Sequence, residues 1–110
     1  MRRYSLGNGL NMAEMMVQEI PEWCKKIIKE WSFDPNEKHS MSEIMTACSY
    51  IFQVWLTYNN YNPKRGMEGR RWKCEKAFRS KFFEIYRKCK LEKREMVFDD
   101  FKTIDIPDCQ

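Results

Sequence analysis

The chain has 110 residues, of which 43% are hydrophobic and 15% aromatic, and it carries a formal charge of +4. One domain of that size buries roughly 60 to 65% of the surface its unfolded form exposes, so a core without staples is feasible and wholesale disorder is excluded. Cys24, Cys48, Cys74, Cys89 and Cys109 stand at wide, unequal spacings without a C-x-x-C pair, and His39 is the one imidazole. Free thiols in a reducing compartment are therefore expected, with no metal site and no cofactor.

Arg2 and Arg3 are not followed by an apolar export segment, because Leu6 to Asn11 is rich in Gly and Asn and Glu14 interrupts what comes next. A cytoplasmic or nuclear protein without a membrane role is the expectation. Residues 1–10 read as a mobile arm, and Asn11 offers an N-cap for a first helix running to about Trp31. Met16, Ile20, Trp23, Ile27 and Trp31 recur every three or four residues as its apolar stripe. Pro21 lies inside that run, so a kink is expected there, or a split with a fresh helix starting at Pro21. Asp34-Pro35-Asn36 then makes a turn.

Ser40-Met41-Ser42-Glu43 is a capping box, in which the Ser40 hydroxyl and the Glu43 carboxylate each satisfy a free backbone amide. From Ile44 to Asn62 no charged residue occurs, and Ile44, Ala47, Cys48, Ile51, Val54, Trp55 and Tyr58 cover more than half of the helix circumference. Such breadth belongs to a central helix touched on two sides. Thr46, Ser49, Gln53 and Thr57 occupy the remaining face and disfavour a membrane span. Ile51-Phe52-Gln53-Val54-Trp55 resembles a stretch of a small three-helical lentiviral accessory protein, but neither the surrounding spacing nor a His/Cys zinc pattern is reproduced, and no family is assigned from it.

Asn59 to Gly66 is a loop by composition, after which a third helix starts between Met67 and Arg71 and runs to about Glu95. At about 100° per residue, Cys74, Phe78, Phe82, Ile85 and Cys89 fall in one stripe, its core face. Phe98 to Gln110 is an acidic tail with Phe98, Phe101, Ile104 and Ile106 among its aspartates. The expected fold is all-α, three principal helices spanning residues 11–97, with the arm at 1–10 and the tail at 98–110.

Residues 64–94 hold thirteen of the twenty Lys and Arg against four acids, so that stretch is +9 and the remainder −5. Lys73, Lys76, Arg79, Arg87, Lys90 and Arg94 lie opposite the core stripe, on a basic face about 30 Å long. Trp72 and Phe83 project on the same side, and Arg70 and Arg71 extend the basic run at its start. Aromatics among cations suit unpaired nucleic acid, whose bases stack while its phosphates are neutralised. The expected function is non-catalytic nucleic-acid binding, RNA favoured, with low sequence specificity. The alternative is a protein-interaction or assembly module, such as a viral accessory or host-factor-binding protein, that docks on an acidic protein surface. Homo-oligomerisation is left open. No phosphate-binding Gly-rich loop, His-Glu-x-x-His or Gly-x-Ser-x-Gly pattern is present, and His39 reads as a cap residue, so an enzyme is not expected.

Overall fold

The computed structural model describes residues 19–62 and 69–109; the arm, the Asn11 cap and Met16 lie outside the described residues. The described chain is mostly helical, with three helices and one small antiparallel sheet. Helix α1 (Glu22–Glu30) begins directly after Pro21, whose carbonyl accepts from the amides of Cys24 and Lys25, both at 3.0 Å. A proline at this place sacrifices no intrahelical bond, because a helix's first amides are unpaired in any case. Pro21 is thus a start, as the split reading had it.

The buried position of α1 is Cys24, whose thiol points to the Val54 carbonyl at 3.7 Å, while Trp23 is 49% exposed. The apolar stripe is therefore rotated from the one expected through Trp23. A small side chain at the contact lets α1 approach the central helix closely, which a tryptophan there would prevent.

Strand β1 (Ser32–Phe33) pairs antiparallel with β2 (Met96–Val97), Ser32 opposite Val97 and Phe33 opposite Met96. This two-residue ladder adds one small sheet to the mostly helical, three-helix architecture that was expected. The segments leaving α1 and leaving the third helix run side by side, and the ladder gives their backbone groups partners. After β1 the Asp34 carboxylate accepts from the Asn36 amide at 2.8 Å, closing the turn over the buried Pro35.

Helix α2 (Met41–Tyr58) opens on the capping box, with the Glu43 amide donating to Ser40 Oγ at 3.1 Å and the Ser40 amide to Glu43 Oε1 at 2.7 Å. Accepting that backbone hydrogen bond from Ser40 holds the Glu43 carboxyl below its ordinary value. Ile44, Cys48, Ile51, Phe52, Val54, Trp55 and Leu56 are buried, so α2 is the central helix. Helix α3 (Arg70–Glu92) follows Gly69, whose φ of 71° is a left-handed conformation that glycine adopts without a Cβ penalty. It ends at Lys93, also left-handed, with the Arg94 amide donating back to the Cys89 carbonyl at 3.1 Å.

The core stripe of α3 is as its periodicity indicates: Cys74, Phe78, Phe82 and Cys89 are buried, and Ile85 packs against them half-buried. The segment expected as a tail supplies Phe98, Phe101, Ile106 and Cys109 to the same core. Phe101, in a 3-10 turn (Phe98–Phe101), stacks on Phe78 and Phe82 at 5.7 and 5.8 Å and meets Trp31 edge-on at 6.1 Å. It thereby joins α1 to α3. A second 3-10 turn (Pro107–Cys109) carries the cysteine that forms a disulfide with Cys74, correcting the expectation of five free thiols. Cys24, Cys48 and Cys89 are free and buried.

Candidate nucleic-acid interface

The outer side of α3 is set by its core stripe, because every residue about half a turn from Cys74, Phe78, Phe82 and Cys89 must face away from the bundle. Lys73, Lys76, Arg87 and Lys90 are exposed there. None of them forms an ion pair with another described residue. From Lys73 to Lys90 they span about 26 Å of helix at 1.5 Å per residue. Trp72 is 61% exposed, and Lys76 Nζ stands 4.7 Å from the centre of its ring. That cation–π contact holds the indole on the basic side of the helix. Exposed Lys88 adds positive charge along one flank.

Other expected members are engaged differently. Arg71 lies on the wheel close to the core stripe, so it reaches inward: its Nη2 donates to Gln53 Oε1 at 3.2 Å and its guanidinium lies 5.9 Å from the Phe52 ring. It ties α3 to α2. Arg79 is half-buried and faces Glu75 one turn earlier at 3.6 Å. Arg94 lies beyond the end of α3, where Nη1 and Nη2 grip Asp100 at 3.1 and 2.9 Å and Nε donates to Glu92 at 2.7 Å. Those contacts push the Arg94 guanidinium's pKa further up, the Asp100 hydrogen bonds contributing most.

Phe83 does not stand beside Trp72 as an exposed aromatic. It is half-buried, edge-on to Phe82 at 5.5 Å and tilted against Tyr86 at 6.1 Å, and Tyr86 in turn meets Phe33 of β1 at 6.5 Å. The linker carrying β1 therefore lies against this flank of α3, and a helical wheel drawn for α3 alone has no means of including it.

Arg70, the first residue of α3, lines with Lys73, Pro107 and Asp108 a crevice of about 300 Å³. A second concavity of about 400 Å³ lies between α1 and α2, walled by Trp23, Ile27, Trp31 and Tyr50 with Lys26 and Glu30 at its polar edge. No local pattern signals it, since Trp23 and Trp31 fit an apolar stripe facing the core. Tyr50 is 47% exposed.

Reactive groups are sparse among the described residues. No three His, Cys, Asp or Glu come together as metal ligands there. Burial raises the free thiols, pushing Cys48 up to about 12, so all three stay protonated near neutral pH. His39 lies in the turn before α2, its Nε2 3.0 Å from the Asp34 carbonyl and its ring stacked on Phe33 at 4.3 Å. No described helix is long and apolar enough to cross a membrane. Comparison of the chain with family models, curated proteins and solved structures finds no match in any of the three.

Proposed function

We propose that the protein binds single-stranded nucleic acid, RNA foremost, along the outer side of α3, without reading sequence and without catalysing a reaction. The observation that carries this reading is exposed Trp72 under Lys76, in line with Lys73, Arg87 and Lys90, none of them in an ion pair with a described residue. Salt-bridged cations would have to give up a partner before taking a phosphate, whereas these exchange only bound counterions. An exposed indole supplies a stacking platform for any unpaired base, and so contributes affinity without choosing a sequence. A cytoplasmic or nuclear site of action belongs to the same reading, because its ligand is there.

Mobility-shift titration against labelled single-stranded and duplex RNA and DNA at several salt concentrations tests it. Four phosphate contacts give a log Kd against log salt slope of magnitude about 3, with the single strand preferred. The second reading is a protein-docking module, favoured by the apolar concavity between Trp23, Trp31 and Tyr50. Failure of the folded protein to bind every nucleic-acid probe at low salt would decide for that alternative.

A further inference from the structure

The cations on the outer side of α3 are not evenly spread. Lys73 and Lys76 stand with exposed Trp72 near the start of the helix, and Arg87 and Lys90 stand with Leu91 near its end. Leu91 is 85% exposed, more than any other large apolar side chain among the described residues. Lys76 and Arg87 are about 16 Å apart along the axis at 1.5 Å per residue. Ser80 and Phe83 lie between them on the same helical row, and neither is charged. The charges flanking that row cancel, because Arg79 faces Glu75 at 3.6 Å and Lys81 faces Glu84 at 3.9 Å. Near the end of the helix Glu92 is held by Arg94 at 2.7 Å rather than by Arg87 or Lys90. A phosphate over Ser80 therefore meets no net charge, while one at either end of the row meets two cations.

We propose that α3 carries two separate half-sites for a single strand, Trp72 with Lys73 and Lys76 and Leu91 with Arg87 and Lys90, and that its ligands are strands long enough to bridge the uncharged row between them. The proposal rests on the nucleic-acid reading of α3 and names the class of strand it takes. Each half-site joins an apolar side chain, against which a base packs, to two cations that neutralise neighbouring phosphates. The first is the stronger, because an indole stacks on a whole base face and a leucine covers only part of one. A stacked strand advances about 3.4 Å per phosphate, so about five nucleotides reach from Lys76 to Arg87. Shorter strands occupy one half-site alone. A strand that spans the row meets its second half-site at the high effective concentration set by the first, which multiplies the two affinities.

The test uses the full chain, shown to be folded by circular dichroism, with oligouridylates of about two to about twelve nucleotides titrated by fluorescence anisotropy at several salt concentrations. Kd should fall in a step of roughly tenfold at about five nucleotides, and the salt slope should rise there in magnitude from about 1.4 to about 3. The double variants Lys73→Ala/Lys76→Ala and Arg87→Ala/Lys90→Ala should each abolish the step and hold every strand at the shallow slope. Leu91→Ala should weaken only the strands past the step, whereas Trp72→Ala should weaken short and long strands alike. Uncharged methylphosphonate linkages in the middle of the shortest strand past the step should change Kd by less than about twofold. The same number of linkages at its two ends should raise Kd about tenfold. A smooth gain of affinity with length, with middle and end linkages equally costly, overturns the two half-sites and leaves the nucleic-acid reading standing. No binding of any strand at low salt removes that reading and the half-sites with it.

Discussion

Arg94 and Asp100 face one another in a two-pronged contact, Nη1 to Oδ2 at 3.1 Å and Nη2 to Oδ1 at 2.9 Å, while the same carboxylate accepts from the Val97 amide at 2.9 Å. A cation expected on the nucleic-acid face instead fixes the chain where α3 ends and β2 begins. Both groups retain some contact with water, which discounts the pair, so Arg94→Ala should cost about 1 to 2 kcal/mol of folding stability.

The same pair sets a pH dependence. Burial by itself would raise the Asp100 carboxyl, but the Arg94 and Val97 hydrogen bonds and the Arg94 charge outweigh it, leaving the carboxyl below its ordinary value. A depressed folded value means the contribution is present above the unfolded carboxylate value of about 3.9 and is lost as pH falls through the folded one. Urea midpoints of the parent and Asp100→Asn should differ near neutral pH and converge in strong acid. A difference that stays constant with pH would show that Asp100 contributes through packing alone.

Trp55 is fully buried and touches Tyr61 at 5.5 Å and Phe78 at 5.3 Å, so it links the central helix to α3 and to the start of the following loop. Trp55→Ala should cost about 3 to 5 kcal/mol through the lost transfer energy and the cavity left behind. Thermal unfolding followed by circular dichroism checks it, and a melting temperature within a degree or two of the parent's would be incompatible with this packing.

Trp72 and Phe83, read alike from the sequence, should now separate. Trp72→Ala should weaken binding to a single strand by roughly 1 to 3 kcal/mol while leaving the melting temperature nearly unchanged. Phe83→Ala should do the reverse, costing about 1 to 2 kcal/mol of stability through lost ring contacts and leaving the salt slope of binding intact. Paired melting and mobility-shift measurements on the two variants give the answer.

Thiol counting tests the covalent framework. Denatured, unreduced protein should react with three equivalents of a thiol reagent, from Cys24, Cys48 and Cys89, and with all five cysteines after reduction. Five equivalents before reduction would rule out the Cys74–Cys109 bond.

What the sequence by itself determined is what depends on neighbours along the chain. Ser40 and Glu43 start α2 because their two hydrogen bonds close within four residues, and the breadth of the run from Ile44 to Tyr58 makes that helix central. The spacing of Cys74, Phe78, Phe82 and Cys89 settles which side of α3 is buried, and so which cations face out. The tertiary structure alone decided what depends on segments far apart in the chain meeting. Trp23 turns outward because the approach of α1 to α2 leaves room for Cys24 and not for an indole. Phe83 is covered because β1 and Tyr86 lie on its flank, and Arg94 is taken by Asp100 because the chain turns back after Lys93. Phe98, Phe101 and Ile106 looked like apolar residues in an acidic tail, yet burying their side chains against α1 and α3 outweighs the solvation of their aspartate neighbours, which stay at the surface or paired. Cys74 and Cys109 are separated by 35 positions, and no local pattern can pair them: only a fold that returns the end of the described chain to the start of α3 brings their Cα atoms to 4.9 Å.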